Sequence, residues 1–371
     1  MNDLKYWVGF TLIPGIGRAR IAKLLHYFGG METAWRANAA ELEAAEMDDK
    51  SVKSIITHRS KLSLDDEMAK LEQHKVAAIT IEDAAYPAML KEIYDPPAML
   101  YVKGGFAQQD ELSLSVVGTR YPTYYGRAAA EQLSGDLARN GITIISGLAK
   151  GIDSVAHRAA LDAGGRTIAV LGCGLDIIYP SQHIALARDI VERGALVSEY
   201  PLGTPPKREH FPLRNRIMSG LSLGVLVVEG KDDSGARITA ERALEQDRDI
   251  FAVPGSILSP MSSLPNRLIK EGAKLVQSAD DILQELNLTI AVQYTAAKEF
   301  IPATEIESAI LQHLSSEPIH IDEVRRLCNL PIAAVSSTLA MMELKGMVKQ
   351  TGGMNYITAR ESREEYRVKI G

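Results

Sequence analysis

Two hydrophobic rhythms divide the chain. Up to about residue 72 the pattern is helical, rich in alanine and charge, and Leu12-Ile13-Pro14-Gly15-Ile16-Gly17-Arg18-Ala19-Arg20 reads as a glycine hairpin between two helices. The rhythm then shortens. Residues 76–81 form a short β-branched run, and Pro96-Pro97 marks a loop. From Leu112 short apolar runs alternate with helical stretches. Strands are expected at 112–117, 142–146, 167–171, 195–198, 223–228 and 250–253, and helices at 127–139, 154–163, 184–192 and 236–246. Such runs, apolar on both faces, suit strands covered by helices on either side of a parallel sheet. Asn140-Gly141, Gly164-Gly165 and Gly194 stand where glycine stops a helix.

These rhythms predict an α/β protein: an extended Rossmann-like, doubly wound, mostly parallel sheet with a helical domain before it and a winged helix after it. The expected boundaries are 1–72 for the helical domain, of SAM-like or helix-hairpin-helix type, and 73–288 for the sheet domain. A linker at 289–303 and a winged helix at 304–371 follow. In the tail, helices are expected at 304–314, 322–328 and 331–344, with Gly346 ending the third and a two-stranded wing at 348–350 and 355–358.

Composition narrows the class. Hydrophobic residues make up 46% and charged residues 24%, as in ordinary globular proteins. No apolar run reaches the ~18 residues of a membrane span, and the start lacks the pattern of a secretory signal. Cys173 and Cys328 are isolated, so neither a disulfide nor a zinc site is expected, and a reducing cytoplasm fits. The formal net charge is −6. Against it, residues 207–216 gather Lys207, Arg208, Arg214 and Arg216 around one acid, Glu209, and one aromatic, Phe211. A local basic cluster on an acidic protein points to one anion-binding groove.

Further residues fall on the same expected edge. Gly118, Gly147, Gly151, Gly172, Gly174, Gly230, Gly235 and Gly255 each follow a strand, where backbone N–H groups can approach a phosphate. Glycine is also ordinary in such turns. Arg120 and Lys150 add cations from two more loops. Arg214 and Arg216 either hold phosphate or pair internally, with Glu199 or Glu229 as partners. Phe211 either stacks a base or packs in the core.

Enzymatic signals are thin. Gly172-Cys173-Gly174-Leu175-Asp176-Ile177 lacks the third glycine of a dinucleotide fingerprint, and no phosphate-loop motif occurs. No cofactor, metal or catalytic residue is expected. Asp153 and His157 suit capping and packing. Glu229, Asp232 and Asp233 keep a hydrolytic reading open. Arg18 and Arg20 would serve a hairpin that touches DNA phosphates, or the hairpin only packs. The third helix of the tail carries no lysine or arginine, which suits protein contact better than duplex reading.

Taken in order, Ser115-Val116-Val117-Gly118-Thr119-Arg120, Ser146-Gly147-Leu148-Ala149-Lys150-Gly151-Ile152-Asp153, Ala169-Val170-Leu171-Gly172-Cys173-Gly174-Leu175-Asp176 and Phe211-Pro212-Leu213-Arg214-Asn215-Arg216 resemble the DNA-processing protein A family, also called DprA or Smf. Ser198-Glu199-Tyr200-Pro201, Ser234-Gly235 and Phe251-Ala252-Val253-Pro254-Gly255 extend the resemblance, which covers about residues 75–285. It implies an extended Rossmann domain that binds single-stranded DNA and forms a homodimer. It also implies a role in natural transformation, protecting incoming strands and loading the RecA recombinase onto them. The DNA-contacting residues it implies are Arg120, Arg208 and the stacking Phe211, followed by Asn215 and Arg216. With Gly118, Gly147, Lys150, Ser234 and Gly235 these make the expected interface. Two departures stand out: Lys150 where arginine is usual, and Ser262-Ser263-Leu264-Pro265-Asn266 where a glycine normally precedes the asparagine. The rival reading is a nucleotide-processing enzyme of phosphoribohydrolase type, which Val253-Pro254-Gly255-Ser256 fits poorly because it lacks the glycine pair and threonine.

Overall fold

The computed structural model describes residues 3–288, 305–315, 318–344 and 348–358. Met1–Asn287 form one compact unit and Leu288–Gly371 a second.

In the first unit, nine strands make one sheet among the described residues: β1 (Ala77–Thr80), β2 (Met99–Gly104), β3 (Ser113–Val117), β4 (Thr143–Ser146), β5 (Thr167–Val170), β6 (Ala195–Ser198), β7 (Gly224–Val227), β8 (Asp249–Ala252) and β9 (Lys274–Leu275). Their spatial order is β1-β2-β6-β5-β4-β3-β7-β8-β9. From β6 to β9 the pairing is parallel, while β1 and β2 run antiparallel at one margin. Strands β3 to β7 are buried along their whole length, which explains why they are mostly apolar. The chain winds outward from β3 to β6, then returns across the sheet to β7. The carboxyl ends of β3 and β7 therefore flank the topological switch point, where such sheets leave a crevice.

The six inner strands lie where the hydrophobic runs place them. Strand β2, which the sequence analysis did not assign, follows directly on Pro96-Pro97 and pairs with both β1 and β6. Gly141 and Gly164 have φ of +76° and +79°, the left-handed geometry that ends the helices Tyr124–Arg139 and Ile152–Asp162.

The helix His210–Gly220 was also unassigned, for a physical reason. Most of it is buried, including His210, Arg214, Asn215 and Arg216, so no polar face alternates with an apolar one. Its Pro212 sits in the first turn, where the missing N–H costs nothing. Polar groups of β3 meet its end. The Ser113 hydroxyl donates to the Leu221 carbonyl at 2.7 Å and that of Ser115 to Met218 at 3.0 Å.

Residues 1–72, read as a domain of their own, pack within the first unit. Trp7, Phe10, Leu24 and Leu42 share one hydrophobic cluster with Tyr101 and Leu196 of the sheet. The hairpin between helices Leu4–Leu12 and Arg18–Phe28 turns at Gly15 with φ +84°. Its arginines are neutralised, Arg18 by Asp95 at 2.7 Å and Arg20 by Asp48 at 2.8 Å.

The second unit contains helices Glu305–Leu311, Ile321–Cys328 and Ile332–Leu344 and a small sheet of Ile319–His320, Val348–Gly352 and Asn355–Thr358. Ile310, Val324, Val335, Leu339 and Met342 fill its core. The expected linker at 289–303 and Gly346 lie outside the described residues. No helix among the described residues is long and apolar enough to cross a membrane.

Candidate nucleic-acid interface

Parallel strands end on one edge, so the loops after β3, β4 and β5 meet there. The Arg120 guanidinium lies 5.8 Å from the centroid of the Phe211 ring, a cation–π arrangement. Phe211 opens the His210–Gly220 helix and packs 5.7 Å from Tyr179, centroid to centroid. A Cβ on Gly172 would come within 3.1 Å of its ring, so glycine lets the aromatic settle against the loop after β5. The loop after β4 joins the group through Gly151, whose φ of +80° turns the backbone against that of Arg120. The Ile152 N–H donates to the Thr119 carbonyl at 3.2 Å, fixing that contact. Lys150, next to Gly151, is thereby held near Arg120. Arg208 is exposed at the approach to the helix that carries Phe211. Among the described residues, Arg120, Lys150 and Arg208 have no carboxylate partner.

Other expected residues face inward. Arg216 donates to both oxygens of Glu199, at 3.0 and 2.7 Å, to Asp95 at 3.1 Å and to the Leu213 carbonyl at 3.1 Å. Burial opposes its charge, but Glu199 and Asp95 outweigh burial and raise the guanidinium above its ordinary value. The expectation that Arg216 holds phosphate is corrected accordingly, because its fork is spent on internal acids. Internal pairing with Glu199, the other possibility left by the sequence, is what the structure contains. Asn215 is likewise buried, its amide donating to the Gly235 carbonyl at 3.4 Å. It ties two helices together instead of lining the edge.

Gly118 and Gly147 are small for the protein's own sake. A Cβ on Gly118 would lie 2.6 Å from Ile152, and one on Gly147 would collide with the Arg214 guanidinium. Arg214 is buried behind that loop and bonds to the Val170 carbonyl. Burial lowers it to about 10, with Asp153 opposing the shift. Asp153 accepts from the N–H groups of Gly147 and Ala149 at 3.1 and 3.3 Å, and burial raises its carboxyl. His157, fully buried, meets the Thr167 hydroxyl at 2.6 Å, and burial followed by the Arg214 charge lowers it to about 3. Asp153 and His157 thus have separate partners and serve packing.

Gly235 differs from these. It is exposed, has open space where a Cβ would sit, and begins the helix Gly235–Glu245 after β7. The Ser234 hydroxyl beside it is buried without a partner. A helix start of this kind offers N–H groups to an anion.

The sequence analysis passed over the aromatic residues around Arg120. Tyr121 and Tyr124 are 78% and 89% exposed, and Tyr125 and Tyr179 are about half exposed. The run Arg120-Tyr121-Pro122-Thr123-Tyr124-Tyr125 carried the signal, since basic and aromatic residues interleave there. A cavity of about 470 Å³ opens beside this loop, lined by Thr123, Tyr125, Glu229, Gly255, Ser256, Ser259 and Ser262. Of the unusual 262–266 segment, Ser262 lines the cavity, just before the helix Ser263–Lys270 begins. There Asn266 clamps Gly255, accepting from its N–H at 3.1 Å and donating to its carbonyl at 2.9 Å.

The fold recurs in known proteins. The solved structure of DNA processing protein A from Streptococcus pneumoniae matches with a TM-score of 0.68 and 38% identity, covering 76% of this chain and 97% of that one. The Helicobacter pylori DNA processing protein A, whose structure describes a single-stranded DNA binding mode, matches with a TM-score of 0.52 and 29% identity over 57% of this chain and 96% of that one. Protein Smf of Escherichia coli is 34% identical over 369 residues, 98% of this chain and 97% of its own length. DNA processing protein DprA of Bacillus subtilis is 46% identical over 62% of this chain and 77% of its own. A winged-helix model of the same family matches residues 295–354, and the DNA recombination-mediator protein A model matches 77–287. The chain belongs to the DNA recombination-mediator protein A family.

Proposed function

We propose that this protein binds single-stranded DNA along the carboxyl edge of its sheet, protects incoming strands, and loads a RecA-type recombinase onto them during natural transformation and recombination. It would act as a homodimer through the sheet domain and work without catalysis. The observation that carries the reading is the Arg120 guanidinium over Phe211 without an ion-pair partner among the described residues, with the backbone of Gly151, next to Lys150, against that of Arg120. Cations without internal acids are free to take phosphates, and exposed tyrosines give bases a stacking surface. Arg120, Lys150 and Arg208 would hold phosphates, with the helix start at Ser234-Gly235 adding N–H donors. The Helicobacter pylori relative, by its description, binds single strands. The nucleotide-hydrolysing alternative is weakened at Glu229, whose two oxygens already accept from Thr123.

Strand binding measured against salt tests the proposal. Contact with about 3–5 phosphates gives a log–log slope of roughly −2 to −3.5 on single strands. A flat salt response, or tighter binding of duplex, would overturn it. Recombinase loading is tested separately, by the rate of RecA filament growth on strands covered with single-strand-binding protein. Sedimentation tests the dimer.

A further inference from the structure

We propose that the outer edge of β1 is a docking site for an extended, basic segment of a partner protein, which adds to the sheet as a further strand. The site is separate from the carboxyl edge and does not depend on DNA binding there.

The backbone at this margin is open. Among the described residues, β1 is the last strand of the sheet and pairs only with β2. The Ile81 N–H donates to the Ala98 carbonyl at 3.0 Å. By the alternation of an antiparallel pair, Ala77 and Ile79 then also face β2, while Ala78 and Thr80 face outward. Thr80 is satisfied by the turn that follows. Its N–H donates to the Asp83 carboxylate at 2.6 Å, and its carbonyl accepts from the Asp83 N–H at 3.0 Å. On the other side, the Val76 N–H donates to the Leu71 carbonyl at 2.9 Å. Ala78 lies between them, and no hydrogen bond among the described residues reaches its outward N–H or carbonyl.

There is room beside it. A cavity of about 550 Å³ opens here, with Leu4 and Trp7 of the first helix on one side and Ala78 on the other. Edge strands usually discourage pairing with a lysine, a proline or a bulge. Ala77-Ala78-Ile79-Thr80 has no charge and no proline. The opposite margin contrasts with it, because β9 has only two residues and carries Lys274, paired with Glu285 at 2.7 Å.

Charge selects the occupant. The charged residues lining the cavity are Asp3, Glu82 and Asp83, all acidic. Glu82 is exposed and has no ion-pair partner among the described residues. Nucleic acid and acidic peptides are repelled there. Pairing with β1 of a second copy would set the same three acids against these, so it is opposed as well. A segment alternating apolar with lysine or arginine residues meets every feature of the site. Its backbone pairs with Ala78, its apolar side chains reach Leu4 and Trp7, and its cations meet the acids.

The test uses the full chain and labelled peptides of about ten residues, followed by fluorescence anisotropy. One alternates lysine and valine, one alternates glutamate and valine, and one is the lysine peptide with the backbone nitrogens along one edge methylated. The lysine peptide should bind roughly tenfold more tightly than either of the others, because methylation removes the backbone pairing and glutamate reverses the charge. Its binding should slow hydrogen exchange at the Ala78 amide. Ala78→Pro removes that N–H at an edge position where proline is tolerated, and Glu82→Lys reverses an exposed charge. Each should weaken the peptide by roughly fivefold at an unchanged melting temperature. If Ala78→Pro fails to fold, Glu82→Lys and the exchange at Ala78 decide the matter. Equal binding of the methylated peptide reduces the effect to charge alone and overturns the proposal. So does no binding of the lysine peptide, or binding that leaves the Ala78 exchange unchanged. Self-association that Ala78→Pro abolishes would make this edge an interface between copies, and overturns it too.

Discussion

The stretch from Lys207 to Arg216 holds two kinds of cation. At its start, Lys207 and Arg208 are exposed. At its end, Arg214 and Arg216 are buried in a helix, one behind the Gly147 loop and the other between Glu199 and Asp95. The residue types match, but Lys207 and Arg208 lie in the loop before the helix His210–Gly220, whereas Arg214 and Arg216 lie inside it. The buried pair holds the loops in place, while the exposed cations can meet a partner. Asp95 reaches further still, since it also binds Arg18 of the amino-terminal hairpin. The inner arginine is thus coupled to the packing of the helices before the sheet.

That division can be broken from either side. The largest effect is expected on the inner side. Arg216→Ala strands Glu199 without its partner and should cost about 3–4 kcal/mol of stability, read as a lowered denaturation midpoint. A midpoint close to wild type would mean the pair is dispensable. Acid should act on the same interior through His157. Its folded value near 3 lies below the ordinary 6.5, so the unfolded chain takes up the proton first. This contribution is complete above about pH 6.5 and is lost as pH falls toward 3, reaching about 2 kcal/mol by pH 5. His157→Asn should flatten the decline in melting temperature between pH 7 and pH 5, and an unchanged slope would exclude His157 as its source.

The outer side should respond in binding and not in stability. Arg120→Glu is expected to weaken single-strand affinity by roughly 10- to 30-fold with an unchanged melting temperature, because a guanidinium contact becomes a repulsion. If affinity holds in the folded variant, Arg120 is not at the interface. The smallest change belongs to Arg208→Gln. It should lower affinity a few-fold and reduce the salt slope by about 0.7, the share of one phosphate on a single strand. Equal losses of stability in the inner and outer variants would erase the distinction between them.

Much of the fold was legible because parallel strands covered on both faces leave apolar runs such as Ile168–Val170 and Val225–Val227. The helix His210–Gly220 left no such trace. Its arginines and asparagine find partners from distant segments, so its buried face looks polar in sequence. The same cause divided the candidate site. Arg120 and Phe211 meet at one edge, with the backbone beside Lys150 against that of Arg120, whereas Asn215 and Arg216 turn inward. Tyr121 and Tyr124 were available as an aromatic run beside Arg120, but only exposure distinguishes them from core residues.

Local pattern by itself determined the six inner strands and the helices between most of them, the glycine stops and the family motifs, because each depends on neighbours in sequence. Which cations stay free was decided only by the tertiary structure. Pairing depends on acids far along the chain: Glu199 and Asp95 reach Arg216, and no carboxylate among the described residues forms an ion pair with Arg120. The filling of the helix start by Glu229 was settled the same way, since Thr123 and Glu229 meet only when β3 and β7 lie side by side.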